Sequence, residues 1–205
     1  APKRVQLSAD AIDEPDHDRV VHLLEALGPE EAAYYSDEAN VVDWQGKSQV
    51  LFGEIEARYG FVGGSTDEYA DYFCRNDLPR QMWHFALRDE VKAVAGFAVV
   101  PKKDASRQRK LMMMCAANYV WDDARGRADY GLQGGAAITS AWIPGDRLMV
   151  SSFDESNAFT SVLTPRWFWG WCTAPPIQAG LIWKALPTAL QNSVNESTWI
   201  YPQYC

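Results

Sequence analysis

The sequence predicts an α+β fold: an acidic, helical first part, then a β-hairpin and further sheet accompanied by helices. Three observations predict it. Capped helical patterns crowd the first third of the chain. Two short strand-like runs flank a polar turn after residue 90. The charge changes sign, with 19 acidic and 8 basic side chains (net −11) in residues 1–91 and a net +3 in residues 92–205. These changes divide the chain into an acidic, mainly helical region over 1–80 and a second region over 81–205.

Asp18 suits the cap of a helix ending at Gly28, with Val20, Val21, Leu23, Leu24 and Leu27 mainly on one side. Pro29, Glu30 and Glu31 open the next helix, with proline in the first turn and acids at the positive end of the dipole. Ser48 starts a third over residues 48–58, residues 60–66 read as a loop, and Thr66 opens a capped helix reaching Arg75.

The texture changes near residue 80. Val94–Val100 is a continuous apolar run and reads as a strand. Residues 102–107 are polar, and Gln108–Met114 reads as a second strand. A β-hairpin with Asp104 and Ser106 in its turn fits these runs. Two buried segments of a mixed sheet joined by a surface loop fit them too. Residues 122–135 are turn-rich, Arg147–Phe153 reads as a strand, and 154–163 as a helix or a turn into one before Pro165. Pro175–Leu186 reads as a helix opened by proline and stopped at Pro187.

Hydrophobic residues make up 47% and charged residues 22%, which excludes wholesale disorder and low-complexity classes. Nine Trp imply either a thick core or an adhesive interface. The net charge of −8 argues against a simple nucleic-acid-binding module, because phosphates need a positive surface. Cys74, Cys115, Cys172 and Cys205 are far apart and lack zinc spacing, which favours an intracellular, reducing compartment. The opening residues lack the apolar core of a signal peptide, and no apolar run has the length of a membrane span. Trp167–Trp183 comes nearest, but a proline pair and Gln178 interrupt it. It reads as a buried segment, with an aromatic patch for a protein partner or a membrane surface as the other reading. His17, His22 and His84 form no ligand pattern, and the phosphate-loop, dinucleotide, zincin and nucleophile-elbow motifs are absent.

Two segments carry chemistry. Lys102, Lys103, Arg107, Arg109 and Lys110 crowd the tip of the expected hairpin. The strand period sets Arg107 and Arg109 on one face and Gln108 and Lys110 on the other. A lysine from one strand and an arginine from the other then share a space suited to a polyphosphate, lysine as a point charge and arginine as a fork. A solvated basic hairpin has the same pattern. The second segment is Phe153–Phe159, after a strand. There Asp154 suits either a metal ligand for phosphoryl transfer or a helix cap.

Together, and in this order, the two segments resemble the fingers and palm of a reverse transcriptase of the retroelement type. The fingers pattern is met by Val100, Lys102, Lys103, Asp104, Arg109, Lys110 and Leu111, with Asn118 further on. The first palm motif is met by Asp154, Ala158 and Phe159. The resemblance spans about residues 85–190 and leaves the acidic first 80 outside it. It implies a fingers-type hairpin and an incomplete palm sheet with helices. It also implies that Lys102 meets the terminal phosphates of an incoming deoxynucleotide and Arg109 its base and inner phosphates. Asp154 and the backbone carbonyl of Glu155 would hold catalytic magnesium, with Phe159 as a gate against the ribose 2′-hydroxyl. Nucleic acid is then the partner.

The family's second palm motif, an acid pair on a turn, is missing: after Asp154 the only acids are Glu155 and Glu196. One carboxylate does not hold two magnesium ions, so this chain is expected to be inactive on its own. It is expected to be either a piece of a longer polymerase or a non-catalytic subunit that binds proteins through Trp167–Trp183.

Overall fold

The computed structural model describes residues 6–12, 20–75, 82–121 and 162–205. Within them helix and strand are mixed, as an α+β chain requires. The expected strand Arg147–Phe153 and the turn-rich stretch 122–135 lie outside the described residues.

The first expected helix is largely replaced. Val21–His22 forms a short strand, β1, parallel to β5 (Val162–Leu163), and only Leu23–Ala26 is helical (α1). Adjacent β-branched valines favour an extended chain once a distant strand supplies hydrogen-bond partners. Helix α2 (Pro29–Ser36) starts as expected, with proline in its first turn. Helix α3 (Gln49–Tyr59) is capped by Ser48, whose hydroxyl accepts from the Leu51 amide at 3.3 Å. Helix α4 (Thr66–Arg75) is capped one residue earlier than expected. The Ser65 hydroxyl accepts from the Glu68 amide at 3.2 Å, and the Glu68 carboxylate accepts from the Ser65 amide at 2.9 Å. The spacing is that of a reciprocal capping box.

Strand β2 (Trp83–Ala86) follows, then the hairpin of β3 (Gly96–Pro101) and β4 (Gln108–Met113). Its register pairs Val99 with Lys110, Val100 with Arg109 and Pro101 with Gln108. The expected turn is present: Asp104 Oδ1 accepts from the Ser106 amide at 2.9 Å, and the Lys102 amide donates to Arg107 O at 2.9 Å. The strand starts at Gly96 rather than Val94, because Val94 instead bridges Thr173. The expected loop at 60–66 does more than connect. Val62 pairs with Phe97 in parallel, and a Cβ on Gly63 would lie 2.8 Å from that of Ala98. Glycine there permits the close approach of two strands.

After the hairpin come α5 (Cys115–Val120) and, past β5, α6 (Arg166–Trp169). The expected helix Pro175–Leu186 is absent as such. It is a short strand, β6 (Ile177–Gln178), followed by a 3-10 segment, Ala179–Ala185, kinked at Ile182. Ala179 and Gly180 donate to the carbonyls of Thr198 and Glu196, and these tertiary bonds override the helical pattern. Pro187 opens α7 (Thr188–Gln191), and β7 (Trp199–Tyr204) then lies between β2 and β6.

The larger core cluster draws on both sides of residue 80, joining Tyr69, Tyr72 and Phe73 to Trp83, Phe97 and Ile200. A second cluster packs Ala116, Ala117 and Val120 of α5 against Trp171. The buried reading of the aromatic segment holds for Trp171, Cys172, Ile177 and Ile182. No helix among the described residues is long and apolar enough to cross a membrane.

Candidate functional site

The hairpin sorts its basic side chains by strand parity. Phe97 and Val99 of β3 and Gln108 of β4 face the core and are buried. Lys110, opposite Val99, shares that face. Its ammonium donates to the Tyr72 hydroxyl at 3.1 Å and lies over the rings of Tyr72, Trp83 and Tyr204 at 5.6, 5.6 and 4.9 Å. Lys110 is thereby taken out of the expected basic tip. Gln108 also turns inward, accepting from the Ser8 amide at 3.0 Å and donating to Gln6 O at 2.6 Å.

The opposite parity falls on the outer face. Arg109 is paired with Val100 there, and the turn pairs Lys102 with Arg107 one step on. Lys102 and Arg109 therefore share a face, and Arg109 is exposed. The turn beneath them is rigidified by Asp104, whose carboxylate also accepts from the Ser106 hydroxyl at 2.7 Å. These bonds hold the Asp104 carboxyl below the usual carboxylate range. Asn118 lies on α5, where its side-chain oxygen accepts from Trp121 Nε1 at 2.9 Å.

Asp154, Glu155, Ala158 and Phe159 lie outside the described residues. Among the described residues no group of three or more His, Cys, Asp or Glu is placed to hold a metal ion.

Two features of the described residues go beyond the sequence reading, the first of them drawing Trp167 and Phe168 from the expected aromatic segment. One is a half-open cleft of about 320 Å³, walled by Tyr35, Trp121, Trp167 and Phe168 and bordered by Asn118 and Thr164. Trp121 and Phe168 stack with ring centroids 5.3 Å apart. The other is a cluster of His84, Glu90 and Arg166. Arg166 Nη2 donates to Glu90 Oε2 at 2.7 Å and lies 3.0 Å from His84 Nε2. Burial, and then the Arg166 cation, lower the His84 pKa against the opposing pull of Glu90. The one local signal for this cluster is the Arg166–Trp169 spacing, an i, i+3 pair on one helix face, with the guanidinium 4.5 Å from the ring centroid.

All four cysteines are thiols. Burial raises Cys172 far above its ordinary value and Cys205 to about 11, which removes both as nucleophiles near neutral pH.

No family model, curated protein or solved structure matches this chain.

Proposed function

We propose that the chain carries the nucleotide-binding fingers hairpin and first palm segment of a reverse-transcriptase-like polymerase, a catalyst of template-directed nucleotidyl transfer. The observation that carries the reading is the common outer face of Lys102 and Arg109 on a hairpin with a pinned turn. Lysine and arginine on one face suit a triphosphate, and the inward turn of Lys110 leaves that face to Lys102, Arg109 and Arg107, which pairs with Lys102.

In this reading Lys102 takes the terminal phosphates and Arg109 the inner phosphates and base. Asp154 and the Glu155 carbonyl would hold magnesium, and Phe159 would exclude a 2′-hydroxyl. Bound magnesium supplies Lewis-acid activation of the primer hydroxyl and charge stabilisation of the leaving pyrophosphate. The missing second acid motif restricts these 205 residues to binding nucleotide without joining it to a primer.

The test is mass spectrometry of the natural polypeptide, followed by primer extension. A product well above 23.0 kDa with peptides carrying a further acid pair, and extension lost on Asp154→Ala, supports the proposal. A product of this mass without extension overturns the polymerase reading.

The aromatic cleft favours a second reading, a non-catalytic subunit that binds a protein partner through Trp167–Trp183. Its contacts would come from Trp167 and Phe168, not Trp171, which is 5% exposed and packed against Trp44 and Phe52. Loss of co-purifying partners on Trp167→Ala, with primer extension absent, distinguishes it.

A further inference from the structure

Trp83 and Phe85 of β2 point into the core, so His84 between them faces the other side, half-buried. It meets α6 and the turn at residues 88–90. Arg166 Nη2 is 3.0 Å from His84 Nε2, and Glu90 Oε2 is 3.7 Å from the same nitrogen. The His84 ring lies 5.6 Å from the Trp169 ring. A guanidinium has donors only, so Nε2 accepts and the neutral ring keeps its proton on Nδ1. A proton on Nε2 removes that acceptor and sets two donors against each other, so that His84 and Arg166 compete for the Glu90 carboxylate.

The charged groups that face the His84 ring are Glu90 from the turn and Arg166 from α6, while the Cys205 thiol at the end of β7 meets the His84 backbone. Arg88 turns aside, to Val91 O and the Tyr201 ring. The Cys205 thiol, raised to about 11, stays neutral throughout the range in which histidine titrates.

We propose that His84, Glu90 and Arg166 form a proton-sensitive latch that holds α6 against β2 while His84 is neutral and releases it when His84 is protonated. The held element carries Trp167 and Phe168, so release loosens one wall of the aromatic cleft. The lowered pKa of His84 agrees with a latch closed near neutral pH.

The indole N–H groups of Trp167 and Trp169 report the state of α6, because they donate to Tyr35 O and Thr164 O, each at 3.0 Å. The experiment is an NMR titration of the full 15N-labelled chain from about pH 8 to about pH 5, following the His84 ring and both indoles. His84 is expected to titrate below the ordinary value of about 6.5, with both indole signals moving at the same midpoint and exchanging several-fold faster below it. In His84→Gln the indole signals should be independent of pH, and in Arg166→Gln the His84 midpoint should rise. A His84 midpoint at or above the ordinary value overturns the latch. So do indole signals that stay fixed while His84 titrates, or that move equally in His84→Gln.

Discussion

The Lys110 ammonium rests 3.1 Å from the Tyr72 hydroxyl, which also accepts from Trp83 Nε1 at 3.0 Å. This contact joins the hairpin to α4 and β2 and separates Lys110 from the basic residues beside it in sequence. Lys110→Ala is expected to lower the unfolding free energy by about 1–2 kcal/mol, between the values of exposed and desolvated cation–π contacts. Lys102→Ala and Arg109→Ala, on the outer face, are expected to stay within about 0.5 kcal/mol of the parent. Urea unfolding of the three variants measures the difference. Equal effects would mean that the strand faces are assigned wrongly.

Gly96 and Gly53 separate two uses of glycine. A Cβ on Gly96 would lie 2.0 Å from Tyr59 O and 2.3 Å from Met113 Cε, and the first neighbour is backbone. Gly96→Ala is therefore expected to cost about 2 kcal/mol or more by overpacking. A Cβ on Gly53, inside α3, would meet nothing within 4 Å. Gly53→Ala is expected to gain about 0.5–1 kcal/mol by limiting the unfolded chain. Thermal melts of the two variants should shift in opposite directions.

The turn was the most legible part of the candidate site. Asp104 and Ser106 announce a side-chain-to-backbone turn, and the apolar runs on either side set the strand period that brings Lys102 and Arg109 to one face. The caps of α2 and α3 were legible for a similar reason: Pro29 and Ser48 act on neighbours a few residues away. The misses involve distant partners. Val20 and Val21 fit a helix by local pattern, but pairing with Val162 and Leu163 draws Val21 into a strand. Strand β7 contains Pro202, which lacks an amide and by local rules argues against a central strand. It is accepted because β6 pairs only with Trp199 and Ile200, so the β6 ladder asks no amide of residue 202. The His84 cluster joins residues up to 82 positions apart, which no local pattern encodes.

His84 also affects stability. Its folded pKa is lowered, so on acidification the unfolded chain takes up the proton first. The unfolding free energy then falls as pH drops through the ordinary histidine value of about 6.5, with no loss from this group well above it. Urea midpoints at about pH 7.5 and about pH 5 should differ less in His84→Gln than in the parent. An equal difference would assign the acid sensitivity to other groups.

Asp104 has the same sign, in a more acidic window. Its carboxylate is held low by Ser106, so its contribution to the turn is present above the ordinary value of about 3.9 and lost as pH falls through the lowered one. The Ser106 amide resonance should keep its downfield position until the solution is more acidic than that ordinary value. In Asp104→Ala it should start upfield and stay there.

The central claim is that Lys102 and Arg109 together hold a nucleotide's phosphates. The most direct measurement is an anisotropy titration of a dye-labelled deoxynucleoside triphosphate against the chain and its Lys102→Ala/Arg109→Ala variant. The account predicts binding that weakens with salt and falls about tenfold or more in the double variant, since one charge-assisted hydrogen bond is worth about 1.5–3 kcal/mol. Lys103→Ala should bind nearly as the parent does. No binding by the parent, or equal binding by the double variant, would contradict it.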